Sequence, residues 1–405
     1  MHPPGQFRLL TLHYGLYQFA FASAVGFAGA YLLEQGFSLP QALVCFAAML
    51  GIRCVFRFAG LGVVRHVGYR RAVALGALIG AVQFWPFFYA KTPTGLVLWL
   101  LVVAFSESLY WPVYHAAVAV TGAAGARGKE LSLRTMVGAA TGVIGPLTGG
   151  LLMQRLGPSS NFALGAALMA ASAIPLLMMR NFDAGPVPSA RQSMKLVDRQ
   201  AIIAFASDGW MASGLQLAWP MVLFVVLGAH YEAFGLANAA AGVAGAAGAW
   251  FCGRAIDGGK RDRYLAMVSL ALAAGFSLRI AAGWSPIAAA VANATGAAVM
   301  GVYIPVLMSY VYDRAKTSGT AYRFHFAAEA GWDFGAATGC LAAALVVVLT
   351  GIPSLGIVPG SLGIFVLYAF LRRQPTITVP EEPVAPSERG VDLRPLLAAR
   401  DDGRA

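Results

Sequence analysis

Residues 323–339 read RFHFAAEAGWDFGAATG and open an apolar run that continues to Leu349. Within it His325, Glu329 and Asp333 follow one another at i, i+4 and i+8. On a helix that spacing lines the three up as a single polar stripe. The run is long enough to cross a bilayer, which takes about 20 apolar residues. Ionisable groups at that depth are costly, and they face either a cavity or a partner. The rest of the chain is best understood by asking what receives the stripe.

Composition places the chain in lipid. Of its 405 residues 58% are hydrophobic and only 12% charged, and the mean hydropathy is +0.67. A soluble domain carries about 25% charged residues. The 47 glycines suit the close helix contacts of membrane bundles. A net charge of +11 could suggest nucleic acid, but the basic residues lie in short clusters between apolar runs. That is how topology determinants are distributed, and no nucleic-acid partner is expected. Cys45, Cys54, Cys252 and Cys340 all lie within apolar segments and form no CxxC pair, so they read as free thiols.

Counted with a twenty-residue ruler, the chain holds twelve candidate spans. They run 9–33, 38–63, 71–90, 94–121, 132–154 and 160–180, then 201–228, 232–254, 264–283, 286–312, 323–349 and 353–371. This is an all-α membrane protein with two six-helix halves, residues 1–180 and 201–372. A polar linker at 181–200 joins them, and the tail 373–405, rich in Pro and charge, is expected to be disordered. The halves echo each other weakly at an offset of about 195 residues, as secondary transporters with internal repeats do. Alternate loops carry Arg65, Arg70 and Arg71, then Arg127 and Lys129, Arg191 and Lys195, Lys260 to Arg263, Arg314 and Lys316, and Arg372 and Arg373. The opposite loops hold little beyond Lys91 and Arg155, so both termini are expected in the cytoplasm, the protein spanning the inner membrane. No leader segment precedes the first span, which is expected to be retained.

Three motifs sit on this frame. After span eight comes Gly253-Arg254-Ala255-Ile256-Asp257, followed by Lys260 and Arg261. After span two, Leu61 to Arg71 keeps Gly68, Arg70 and Arg71 but has Arg65 where an acid would match. Span five carries Gly145-Pro146-Leu147-Thr148-Gly149-Gly150, with Thr141 in place of a preceding glycine. With these motifs the chain resembles the major facilitator superfamily across residues 8 to about 373. The first two look like its cytoplasmic Gly-x-x-x-Asp…basic loops, and the third like its GPxxGG signature, most typical of antiporters. A bland alternative for the third is a small-residue packing face. The resemblance implies two halves rocking about a central site, with spans two and eleven side by side and span four lining the cavity. The Arg-containing motif that many drug exporters carry in span four is absent; Glu107 to His115 stands there instead.

The candidate residues follow. Arg53 and Arg57 lie i, i+4 in span two, which runs opposite to span eleven. At about 1.5 Å per residue, Arg57 and Glu329 both lie roughly 10 Å from the cytoplasmic ends of their spans. Arg53 and Asp333 both lie about 6 Å deeper. Two stacked pairs are therefore expected, Arg57–Glu329 and Arg53–Asp333, either gating and coupling transport or simply holding the halves in register. Glu107 in mid-span four is a proton carrier, a cation site or a partner of Arg53 or Arg57. Asp208, early in span seven, lines the cavity or snorkels to the surface.

For substrate contacts the sequence offers Tyr17, Trp111, Tyr114, His115, Trp210, Tyr303, His325 and Trp332, of which Trp111 and Trp332 flank the mid-depth acids. Tyr14, Trp219, Asn238 and Asn293 are further possibilities, and Arg279 reads as a snorkelling anchor. His13, His115 and His325 could shuttle protons. A conformational role falls to Gly145, Pro146, Gly149, Gly150, Gly253 and Asp257.

The function expected is a secondary transporter of a small or amphipathic organic solute, coupled to protons, with efflux antiport preferred. Its partners are the solute, protons and membrane lipids. No cofactor, metal or enzymatic activity is expected, and the chain works as a monomer. The alternatives are an uncoupled uniporter or lipid flippase, and a non-transporting receptor or scaffold.

Overall fold

A computed structural model describes residues 5–121, 127–195, 198–256 and 261–372, and these are helical almost throughout. The helices are α1 (Gly5–Ser23), α2 (Ala28–Glu34), α3 (Leu39–Val82), α4 (Phe84–Phe88), α5 (Pro93–Thr121), α6 (Arg127–Arg155) and α7 (Pro158–Met178). A short α8 (Ala190–Met194) lies in the connecting segment. Then come α9 (Arg199–Ala212), α10 (Trp219–Val226), α11 (Tyr231–Ile256), α12 (Arg261–Ala281), α13 (Pro286–Thr317), α14 (Ala321–Thr350) and α15 (Val358–Leu371). The tail 373–405 lies outside the described residues, as do Asp257 and Lys260 of the loop after span eight. Gly253 of the same motif lies near the end of α11.

Among the described residues nine stretches are long and apolar enough to cross a membrane. One of them, Leu39–Phe88, has 50 residues, enough for two crossings at about 1.5 Å per residue and about 30 Å of hydrocarbon. Together with α11 and α12 this is consistent with twelve crossings, and the protein is a multi-pass membrane protein.

The boundary between spans two and three differs from the sequence reading. The helix runs on through Arg65, and the chain turns only at Gly68, whose φ is +78°. A glycine takes that conformation without the clash a Cβ would bring, so one residue suffices for the corner. Ser38 starts α3 with a capping box: its hydroxyl accepts from the Gln41 N–H, and the Gln41 side chain accepts from the Ser38 N–H at 2.8 Å. Span seven is also interrupted, by a π-helical turn at Ser213–Ala218 between α9 and α10.

Small residues set the helix spacing. A Cβ on Gly209 of α9 would run into the Trp332 carbonyl, and one on Gly335 of α14 into the Ala206 carbonyl. The α9 and α14 backbones are therefore in mutual contact, and this fixes the face of α14 opposite the Asp333 stripe against span seven. The first-half helices pack as α1 on α6 and α7, and α3 on α5 and α7. In the second half α9 packs on α14 and α15, and α11 on α13. Across the seam α3 and α5 meet α14, α6 meets α11, and α2 meets α10.

The seam touches at both ends. At the end bearing the Arg65, Arg70 and Arg71 loop, the Tyr69 ring lies 5.1 Å from that of Tyr322, whose N–H donates to the Ala184 carbonyl at 3.1 Å. The connecting segment is held from both sides there: Arg65 donates to the Pro188 carbonyl, and Arg323 to the Gln192 carbonyl. At the opposite end Phe27 meets Phe234 edge-on at 5.3 Å, and the Tyr231 hydroxyl donates to the Glu34 carboxylate at 2.6 Å.

Candidate functional site

The polar stripe of α14 faces α3, and the two exchange charges inside the bundle. Asp333 is fully buried, with Arg53 and Arg57 only 3% and 1% exposed. The Arg53 Nε donates to Asp333 Oδ1 at 2.6 Å, and the Arg57 Nε and Nη2 donate to Asp333 Oδ2 at 2.9 and 2.6 Å. Another Arg53 nitrogen pairs with Glu107 on α5. Glu329 is held more loosely, 3.7 Å from the Arg57 Nη2 and 3.6 Å from the His115 Nε2.

Both expected contacts, Arg53–Asp333 and Arg57–Glu329, are present, the second at 3.7 Å, but they do not stand as two separate pairs. Asp333 takes both guanidiniums, and Glu329 is displaced toward His115. The physical reason is reach: a guanidinium offers several donors in a fork, and the deeper carboxylate can accept on both oxygens. Of the readings offered for Glu107, the structure has the pairing with Arg53, which bridges it to Asp333.

Trp332 joins this cluster to a second acid. The Arg53 guanidinium carbon lies 5.3 Å from the Trp332 ring centroid, and the indole N–H donates to Asp208 at 3.0 Å. The Tyr303 hydroxyl donates to the other Asp208 oxygen at 2.7 Å. Asp208 is buried and so does not snorkel. Replacing Trp332 with Phe is expected to lower the stability of the detergent-purified protein by about 1–3 kcal/mol, because a buried carboxylate loses a donor. Thermal unfolding beside Tyr303→Phe measures it, and a wild-type midpoint in both variants would mean that neither bond contributes.

Aromatic rings continue from Glu107 along α5. Tyr17 stacks on Tyr110 at 4.0 Å, Tyr110 on Tyr114 at 5.2 Å, and Trp111 on His115 at 5.6 Å. His115 in turn lies 5.5 Å from His325 and hydrogen-bonds the Tyr312 hydroxyl at 2.9 Å. His325 is fully buried, and among the described residues neither ring nitrogen has a hydrogen-bond partner. His13 is buried between the Ser172 carbonyl at 2.8 Å and the Tyr110 hydroxyl at 2.9 Å, a polar knot that ties α1, α5 and α7 together.

Other residues singled out in the sequence lie elsewhere. The Trp210 indole donates to the Pro359 carbonyl at 2.6 Å, toward α15 and apart from the cluster. Trp219 donates to Asn293, which also bonds Asn238. Arg279 does not snorkel: it is 5% exposed, with its guanidinium carbon 5.5 Å from the Trp219 ring centroid. Gly296 on the facing helix leaves the space it fills, since any Cβ there would collide with the guanidinium.

The GPxxGG stretch lies between α1 and α11. Gly145 and Gly149 abut Ala22 and the Ser23 carbonyl of α1, while Gly150 abuts the Tyr231 carbonyl and Gly235 of α11. Pro146 is interior to α6, and its carbonyl lies against Gly235. The same α6 face carries Arg134, which the sequence analysis does not single out. Its guanidinium carbon lies 4.7 Å from the Tyr14 ring and 5.3 Å from the Tyr114 ring. The spacing of Arg134, Gly138, Gly145 and Gly149 could have revealed it, because one helical stripe holds all four.

Sequence comparison settles the family. The Major Facilitator Superfamily family model matches residues 10–329. The chain belongs to the Major Facilitator Superfamily. Solved structures of this superfamily share its fold. The E. coli fucose:proton symporter FucP matches with a TM-score of 0.63 at 14% identity, over 91% of this chain and 98% of that one. The nucleoside transporter NupG gives 0.64 at 14% identity, over 91% and 100%. The human organic anion transporter MFSD10 gives 0.65 at 15% identity, over 91% and 100%. No curated protein matches the chain. At these identities the likeness is one of fold.

Proposed function

We propose that the protein is a secondary active transporter of the inner membrane. It moves a small or amphipathic organic solute by rocking residues 1–180 against 201–372, with both termini in the cytoplasm. Transport is coupled to protons, with export by proton antiport as the direction. One observation carries this reading: Asp333, on the second half, is fully buried and bound by two arginines of the first.

Separating the halves at that point must leave buried charges without partners, which typically costs about 3–5 kcal/mol. Water, solute or a proton has to offset it. A proton on a carboxylate cancels its charge and with it the attraction to the arginines. Glu329 suits that role best. Its contacts, 3.7 Å to Arg57 and 3.6 Å to His115, are longer than those that hold Asp333. The inter-half contacts at both ends of the seam favour a carrier whose solute is enclosed between two gates.

Solute uptake into proteoliposomes, with and without an imposed pH gradient, tests the proposal. Glu329→Gln is expected to abolish pH-driven accumulation while leaving exchange of solute for solute intact. Wild-type transport indifferent to the pH gradient would instead favour an uncoupled uniporter.

A further inference from the structure

We propose that the cluster in which Arg134 meets Tyr14, Tyr114 and Tyr312 receives the carboxylate of a flat aromatic monoanion when the seam opens, so that the transported solute is an organic anion. This rests on the reading of the protein as a carrier and adds the class of solute.

Charge points there first. Arg53 and Arg57 are engaged by Asp333, Glu107 and Glu329, Arg155 by Glu232, and Arg314 by Asp198. Among the described residues no carboxylate lies within ion-pair distance of Arg134, although it is half-buried in the second turn of α6. A guanidinium inside a membrane protein calls for compensation. Two tyrosines supply part of it. Their rings are stacked within 7° of parallel, 6.4 Å apart, and the guanidinium carbon lies within 5.3 Å of both centroids. Such contacts engage the face of the cation and contribute about 0.5–2 kcal/mol. Its N–H edge, a fork matched to a carboxylate, is turned toward the neutral Tyr114 and Tyr312 hydroxyls, and neither supplies a counter-charge.

The surroundings define the remainder of the ligand. The Tyr312 hydroxyl neighbours Arg134 and is bonded to His115 at 2.9 Å. Next to Tyr312, at 5.8 Å between ring centroids, lies His325, fully buried with two nitrogens unpartnered among the described residues. A neutral imidazole offers one donor and one acceptor to a polar ring substituent. Tyr14, Tyr114, Trp111 and His115 supply ring faces against which a flat molecule stacks. A second carboxylate on the ligand would meet Glu329, which stands 3.6 Å from His115 on the same side of Tyr312. One negative charge fits, and two do not. The cluster draws on α1, α5 and α6 from one half and on α13 and α14 from the other, so a ligand there bridges the seam.

The test uses the purified full-length chain in detergent, with benzoate as the probe and benzamide and benzylamine as its neutral and cationic counterparts. Benzoate is expected to raise the unfolding temperature and to bind measurably, and its two counterparts are not. Arg134→Gln is expected to weaken benzoate binding by about 10- to 100-fold, the range for one charge-assisted pair. Arg134→Lys should fall between, since it keeps the charge and loses the fork; it also serves if the Gln variant fails to fold. Equal binding of benzamide, absence of benzoate binding, or unchanged affinity in both variants overturns the proposal. Uptake of a cationic solute unaffected by Arg134→Gln overturns it too, but leaves the carrier reading standing. Benzoate binding without transport of any solute does the reverse.

Discussion

Changing Asp333 to Asn is expected to lower the stability of the protein in detergent by about 3–5 kcal/mol and to abolish transport. The carboxamide has the same shape but no charge and one acceptor oxygen in place of two, so two buried guanidiniums lose their counter-charge and one of them meets an N–H₂ donor. Glu107 and Glu329 cannot replace it: one already serves Arg53, and the other stands 3.7 Å from Arg57. A companion variant separates stability from function. Arg53→Met, Arg57→Met and Asp333→Leu together remove the whole network, and such replacements are often neutral or stabilising. Thermal unfolding of that triple variant should therefore recover toward wild type while transport in proteoliposomes stays absent. Full transport by the triple variant would make the cluster a static tie and remove it from the mechanism.

A leucine at Gly150 should have the second largest effect. Even a Cβ there would lie 2.6 Å from the Tyr231 carbonyl and 3.0 Å from the Gly235 Cα, so α6 and α11 would have to part. Backbone cannot yield as a flexible side chain could, and overpacking of this kind costs about 1–3 kcal/mol. Spent on one conformation only, that energy shifts the balance between open and closed seam by roughly 5- to 150-fold. Arg155 and Glu232, exposed and 3.3 Å apart at this end, provide the readout. In a background without the four native cysteines, a disulfide between Arg155→Cys and Glu232→Cys should form readily and be suppressed by Gly150→Leu. Equal crosslinking with and without the leucine would mean that α6 and α11 do not part there.

Much of the architecture was legible because lipid imposes long apolar stretches and short basic connections. The register of α3 against α14 was legible too, since depth along two antiparallel helices needs only the rise per residue. Partner choice within the cluster was not. Helical spacing gives the height of Arg57 but not the direction of its fork, and the fork turned to Asp333 in preference to Glu329. Arg279 was misread because proximity to a helix end suggests an escape to water, while the space beside Gly296 and the ring of Trp219 are set by other helices. Arg134 was missed for a related reason: it lies just inside the fifth span, and only the pairing of α6 with α1 brings Tyr14 to it.

That one acid holds two bases has a consequence for inheritance. A lineage that lost Asp333 alone would strand both arginines, and one that lost either arginine would leave the acid half served. The three positions can drift only as a set, so descendants should keep all of them or exchange all of them. Glu329 lies on the margin of the set and is freer to vary. A relative in which Asp333 and its two arginines persist while position 329 carries a neutral residue would therefore be expected to transport without drawing on the proton gradient.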